Sequence, residues 1–323
     1  MVAWFNWTTF DIIGDLVFNW SFDCLRNEAY HEWIPFILTS IKTVIISSEL
    51  CRYPGVAHLL KWMFRSQMLA SRQKALAFTA DRVSHRITSP TEDRMDFLGY
   101  ILRHESKETG MSRAEIEATA NVLVLAGSET TATLLAGAVY YLIANPHVKQ
   151  RLMSEIREVF VKEEEITISS VSKLPFLQAV LEEVLRIYPP VTLGSPRLVG
   201  YRGAIIAGHV VPPKTVVVDS RYAAAHSPRN FRDPESFVPE RWLDDPAYKN
   251  DDRAAAQPFS LGPRNCIGKN LAYAEMRLIL TRVIWNFNLE GTMDTCTWLK
   301  RSKTFSLWEK PPLLVQLTPV VRQ

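Results

Sequence analysis

The stretch Phe259-Ser260-Leu261-Gly262-Pro263-Arg264-Asn265-Cys266-Ile267-Gly268 constrains this chain more than any other. It sets a cysteine in a loop punctuated by glycine and proline. An apolar run of helical character, Leu271 to Trp285, follows directly. A thiolate needs stabilising, and a helix start offers backbone N–H groups and the positive end of the helix dipole. Gly262 and Gly268 permit backbone angles and close approaches that a Cβ forbids. Pro263 stiffens the loop, and Arg264 sets a cation two residues from the sulfur. An ordinary buried cysteine at a loop-to-helix junction is the competing reading.

The pattern Phe259-x-x-Gly262-x-Arg264-x-Cys266-x-Gly268 resembles the haem-binding loop of the cytochrome P450 family. The resemblance implies a mainly α fold with small β-sheets, the P450 fold lacking its N-terminal part, as a single domain over residues 1–323. It implies haem b with its iron on Cys266, where a thiolate pushes electron density onto iron and favours O–O cleavage. Phe259 would pack on the thiolate side and limit its solvation, and Arg264 would reach a haem propionate.

Three further motifs stand in the order the family expects. Ser112 with Glu115 forms a capping box, and a long apolar helix then runs to Asn145-Pro146, where proline stops it. Near its middle sits Ala126-Gly127-Ser128-Glu129-Thr130-Thr131. Small residues followed by an acid and an alcohol are poor choices for a helix core; a kinking Gly-Ser pair is the bland account. The segment resembles the oxygen-activating motif of the family. By that resemblance Ala126 and Gly127 leave room for O₂, Thr130 hydrogen-bonds the oxygen, and Glu129 passes protons. Glu183 and Arg186, three apart on one helix face, can pair. They resemble the E-x-x-R motif, with Arg241 of Pro239-Glu240-Arg241-Trp242 as the third member. The implied role of this triad is structural, bracing the loop that carries Cys266. Arg197 is implied as a second propionate ligand, a surface arginine being the alternative. Val191, Thr192 and Leu193 are implied to face the substrate pocket.

Composition excludes several classes. The chain has 323 residues, 47% hydrophobic and 22% charged, which is globular. A net charge of +3 is too small to point to nucleic acid, and no zinc-finger spacing, Walker loop or arginine-rich arm occurs. Cys24, Cys51, Cys266 and Cys296 are far apart and form no C-x-x-C, so reduced thiols facing a cytosol are expected. Met1 to Phe22 is interrupted by Asp11 and Asp15 and is neither a secretory signal nor a membrane span.

Along the chain, residues 3–22 read as one or two short helices. Trp7 to Asp15 is similar to a segment of fungal P450s of secondary metabolism. Residues 28–88 read as two helices jointed around Cys51-Arg52-Tyr53-Pro54-Gly55. Their apolar Trp62, Met63, Phe64, Met68 and Leu69 are either core or membrane-facing. Ser89-Pro90-Thr91 marks a break, and Asp96-Phe97-Leu98 opens another helix. Lys149, Arg151, Glu155, Arg157 and Glu158 read as the solvated face of a surface helix. Val199 to Ser220 reads as a small β-sheet. His226 reads as a satisfied or surface histidine. Asn286 to Pro319 reads as terminal hairpins whose tip, Lys303 to Ser306, is placed near substrate.

The chain departs from the family pattern at its start: no anchor, proline-rich hinge or Trp-x-x-x-Arg motif precedes Trp4. The expected function is a haem-thiolate monooxygenase inserting one atom of O₂ into a hydrophobic substrate of fungal secondary metabolism. Electrons would come from NADPH through NADPH–cytochrome P450 reductase. Arg264 and Lys269 would guide that acidic partner. The expected location is the cytosolic face of the endoplasmic reticulum, with the chain cytosolic or peripheral on the membrane. The alternative is a catalytically impaired, truncated remnant that binds haem or a hydrophobic ligand weakly.

Overall fold

In the computed structural model, the structure describes residues 1–35, 45–47, 49–50, 53, 55, 76–88, 96–103 and 110–322. The expected joint at Cys51–Gly55 falls largely outside them. So do Trp62, Met63, Phe64, Met68, Leu69 and the Ser89-Pro90-Thr91 break. The chain divides into two compact units, Met1–Thr133 and Leu134–Gln323. Their boundary falls inside a helix rather than at a linker.

In the first unit, α1 (Val2–Phe18) is a single helix where one or two short ones were expected. Phe10, Ile13 and Val17 lie on its buried face at helical spacing. It ends where Asn19 takes a left-handed conformation (φ 55°) and donates its N–H to the Asp15 carbonyl, a position that tolerates asparagine. The Asp11 carboxylate accepts the N–H groups of Cys24 and Leu25, both at 2.9 Å, and so caps α2 (Cys24–Asn27). Trp20, Phe22, His31, Trp33 and Phe78 form one aromatic cluster. Residues 76–88 are helical. Asp96 caps α3 (Phe97–Leu102) through the Gly99 N–H at 2.6 Å and pairs with the buried Arg86 at 2.8 Å.

The long helix α4 (Arg113–Ala144) starts at the expected capping box. The Ser112 N–H donates to Glu115 at 2.8 Å, and the Glu115 N–H to the Ser112 hydroxyl at 3.4 Å. Pro146 opens the next helix, α5 (Pro146–Val159), as its first residue. Among the described residues α4 alone is long and apolar enough to cross a membrane, and 67% of its most apolar stretch is buried inside the protein.

The second unit packs α5, α6 (Ile168–Val171), α7 (Pro175–Ile187), α8 (Arg221–Ala225), α9 (Lys269–Asn286) and α10 (Trp298–Arg301) with four two-stranded antiparallel sheets. β1 (Arg197–Leu198) pairs with β4 (Val216–Val217), and β2 (Ala204–Ile206) with β3 (His209–Val211). β5 (Phe287–Gly291) pairs with β8 (Val315–Pro319), and β6 (Lys303–Phe305) with β7 (Leu307–Glu309). Short sheets suit these segments because Gly and Pro interrupt each run.

Of the charges expected to form a solvated face on α5, Arg151 and Glu158 are exposed, and Lys149, Glu155 and Arg157 are corrected by what they bind. The Glu155 carboxylate accepts the N–H groups of Phe176 and Leu177, both at 2.8 Å, capping α7. Lys149 donates to the Leu289 carbonyl at 2.8 Å. Arg157 donates to the carbonyls of Ile284 and Phe287 at 2.8 and 3.0 Å, where α9 leaves its last carbonyls without helical partners.

Candidate active site

The Cys266 loop closes on itself. The Cys266 N–H donates to the Phe259 carbonyl at 2.9 Å, and the Asn265 N–H to the Gly262 carbonyl at 3.0 Å. Gly262 takes φ +75°, where a side chain is strained, so the expected role of this glycine agrees with its geometry. Gly268 differs from expectation. Its φ is −85°, open to any residue, and an added Cβ would lie 3.9 Å from the Cys266 sulfur, an ordinary contact. It caps α9 without a side chain, leaving the first N–H groups of that helix open beside the loop.

The sulfur is exposed, and so is much of what surrounds it in sequence. Leu261 is 69% and Ile267 93% exposed. Arg264 and Arg197 are exposed, and among the described residues neither guanidinium has a hydrogen bond or ion pair. The Phe259 ring is half-buried, 5.2 Å from the Tyr273 ring and 5.7 Å from the Lys269 ammonium. Arg221 donates to the Pro258 carbonyl at 3.0 Å and so ties the start of α8 to the loop. Cys24, by contrast, is buried, and that burial pushes its thiol up to about 11.

The residues expected to face a pocket divide. Leu193 is exposed and Val191 half-buried. Thr192 is buried, and its hydroxyl is engaged by the Thr304 hydroxyl at 2.9 Å and the Ser306 carbonyl at 3.3 Å. Thr192 therefore fastens the β6–β7 hairpin instead of offering a free hydroxyl. His226 is satisfied, with Nδ1 at 2.8 Å from Glu235 and Nε2 at 3.0 Å from the Ile187 carbonyl.

Glu183, Arg186 and Arg241 are brought together, fully buried. Glu183 accepts two bonds from Arg186 (2.8 and 2.9 Å), one from Arg241 (3.1 Å), one from the Val238 N–H (2.9 Å) and one from the Trp242 indole (2.8 Å). Arg186 also donates to the carbonyls of Ala225, Pro234 and Ser236. Two buried cations and one carboxylate would leave a net charge. The Asp251 carboxylate, 2% exposed, meets Arg241 and makes the group neutral. Asp251 and Glu155 were missed in the sequence. Charge balance was the available signal for Asp251, because a buried charge without a partner is costly.

In the first unit, Val122, Ala126 and Thr130 lie four residues apart on one open stripe of α4. The Thr130 hydroxyl donates to the Ala126 carbonyl at 2.7 Å. Glu129 is buried and accepts from the Thr133 hydroxyl at 3.2 Å. A Cβ on Gly127 would lie 2.7 Å from Ile13, so this glycine admits α1 to close contact. That packing accounts for Gly127 without reference to O₂.

Haem suits the donor set of the second unit. Its iron takes a thiolate, its flat apolar face suits exposed Leu261 and Ile267, and its propionates suit unpaired arginines, which bind carboxylates with two parallel bonds.

A family model described as Cytochrome P450 matches residues 1–317. The cytochrome P450 monooxygenase astA of Talaromyces wortmannii is 46% identical over 319 residues, which make up 99% of this chain and 64% of that protein. The monooxygenase lcsI of Purpureocillium lilacinum is 44% identical, covering 100% of this chain and 62% of its own length. The trichothecene C-15 hydroxylase of Fusarium sporotrichioides is 42% identical, covering 98% and 64%. This chain thus spans a little under two thirds of the curated relatives it matches. Among solved structures, the crystal structure of the cytochrome P450DA heme domain superposes with a TM-score of 0.83 at 20% identity, covering 99% of this chain and 68% of that one.

Proposed function

The chain belongs to the cytochrome P450 family, and on that premise we propose that it acts as a haem-thiolate monooxygenase on a hydrophobic organic substrate of fungal secondary metabolism. The observation that carries this reading is the exposed Cys266, set in a loop closed by its own N–H, with uncovered apolar side chains and with Arg264, which has no hydrogen bond or ion pair among the described residues. Haem, when bound, supplies the activation of O₂ with electrons from outside the chain. Cys266 holds the iron. The Phe259 ring limits water at the sulfur, and the open N–H groups at the start of α9 lie beside the loop that carries it. Arg197 and Arg264 hold the propionates. Leu193 and Val191 contribute apolar contacts to the substrate. Glu129 and Thr130 handle protons, the carboxyl as a source and the hydroxyl as a relay.

Electrons would come from NADPH through NADPH–cytochrome P450 reductase, since membership of the family implies a redox partner. Exposed Arg264 and Lys269 would draw in an acidic partner surface. The proposed site of action is the cytosolic face of the endoplasmic reticulum.

The test is turnover of a panel of apolar polyketides and terpenoids with isotopically heavy O₂, NADPH and the reductase. The reading predicts one heavy oxygen atom in the product and none with Cys266→Ala. Product that carries oxygen from water, or label that survives Cys266→Ala, would overturn it.

A further inference from the structure

The helix α7 carries two adjacent carboxylates that point to different partners. Glu183 enters the buried frame. Glu182 instead meets α9, the helix that follows Cys266: the Tyr273 hydroxyl donates to Glu182 Oε1 at 2.7 Å. The Gln178 amide donates to the same oxygen at 2.6 Å. Arg277 in turn donates twice to the Gln178 carbonyl oxygen, at 2.8 and 2.6 Å, and its guanidinium lies 5.0 Å from the Tyr273 ring. Gln178 and Glu182 are four apart on α7, as Tyr273 and Arg277 are on α9, so each pair shares one helix face. The four side chains form a ladder between the two helices.

The ladder leads back to the sulfur. The Tyr273 ring packs against Phe259 at 5.2 Å, and the Phe259 carbonyl accepts the Cys266 N–H at 2.9 Å. We propose that Tyr273 is a positioning residue for Cys266. Its hydroxyl, held by Glu182, fixes the ring that seats Phe259, and Phe259 fixes the loop. Burial, and next the negative charge of Glu182, push the Tyr273 hydroxyl above its ordinary value, so it stays protonated and remains a donor. The inference rests on the reading of Cys266 as the haem ligand, and it attaches the loop to α7 through Glu182, separate from the Glu183 frame.

The experiment compares Tyr273→Phe, Glu182→Ala and Glu182→Gln with the unaltered 323-residue chain. One readout is hydrogen exchange at the Cys266 amide without haem; the other is the reduced carbon-monoxide spectrum with haem supplied. Tyr273→Phe and Glu182→Ala should exchange that amide about 2- to 10-fold faster, the equivalent of one hydrogen bond. They should also move part of the Soret intensity from the thiolate band to that of a neutral ligand, at a melting temperature close to that of the unaltered chain. Glu182→Gln keeps an acceptor for the Tyr273 hydroxyl and should behave as the unaltered chain does. Equal behaviour of all three variants, altered or unaltered, would overturn the proposal. If the unaltered chain gives no thiolate band, the assignment of Cys266 fails, and the exchange readout still decides whether Tyr273 holds the loop.

Discussion

The frame around Glu183 and the loop around Cys266 lie in one unit and are both dense in charged and special residues, yet they are built in opposite ways. In the frame, Glu183, Arg186, Arg241 and Asp251 are withdrawn from water, and charge balances charge. In the loop, apolar Leu261 and Ile267 stand in water, and Arg264 has no hydrogen bond or ion pair among the described residues. Water solvates the arginine but does not reward the apolar pair, since apolar surface gains about 25 cal/mol per Å² when it is covered. A buried, self-satisfied group serves stability. An exposed group that satisfies nothing is shaped for something that covers it.

The contrast predicts a separation of effects. Cys266→Ala should abolish turnover and the thiolate spectrum. It should change unfolding free energy by no more than about 0.5 kcal/mol, because the side chain is exposed. A large stability loss would break the comparison. Glu183→Ala should do the reverse in kind, leaving two buried arginines to one carboxylate. It should cost roughly 3–5 kcal/mol in denaturant unfolding, with activity falling in step with the folded fraction. Glu155→Ala sits between the two, since a half-buried carboxylate caps α7. Its loss should cost about 1–2 kcal/mol by the same measurement.

The smallest effect comes from an exposed cap. Ser112 hydrogen bonds hold the Glu115 carboxyl below its ordinary value of 4.5. A depressed folded value means that the contribution is present above the unfolded value and is lost as pH falls through the folded one. Amide exchange in the first turn of α4 should therefore quicken below about pH 4.5 and be indifferent to pH near neutrality, once corrected for intrinsic exchange. Protection that stays constant down to strongly acid pH would show that the cap contributes nothing. It would sharpen the point that burial, beyond bonding, sets the size of each effect.

The parts legible in the sequence were those whose signal is local. Ser112 with Glu115, Pro146, and the Gly- and Pro-broken strands announce themselves within a few residues. The Glu183–Arg186 spacing announces a pair in the same way. Long-range roles were not legible. Glu155 caps a helix that starts twenty residues later, and periodicity marked it only as surface. Thr192 looked like a pocket residue until the terminal hairpin took its hydroxyl. Gly127 looked chemical, yet its missing Cβ is explained by Ile13. Tyr273 sat inside an apolar run, where nothing marked its hydroxyl as bound to α7. In each case the deciding partner is far away in sequence, and side-chain pattern alone does not carry that distance.

The central claim is that Cys266 is an open ligand for haem iron, carried on a loop whose exposure contrasts with the buried Glu183 frame. Its most direct test is the reduced carbon-monoxide difference spectrum of the 323-residue chain with haem supplied, beside that of Cys266→Ala. The account predicts the strongly red-shifted Soret band of a thiolate ligand in the first and its absence in the second. A neutral-ligand band alone in the unaltered chain, or a red-shifted band that survives Cys266→Ala, would contradict it.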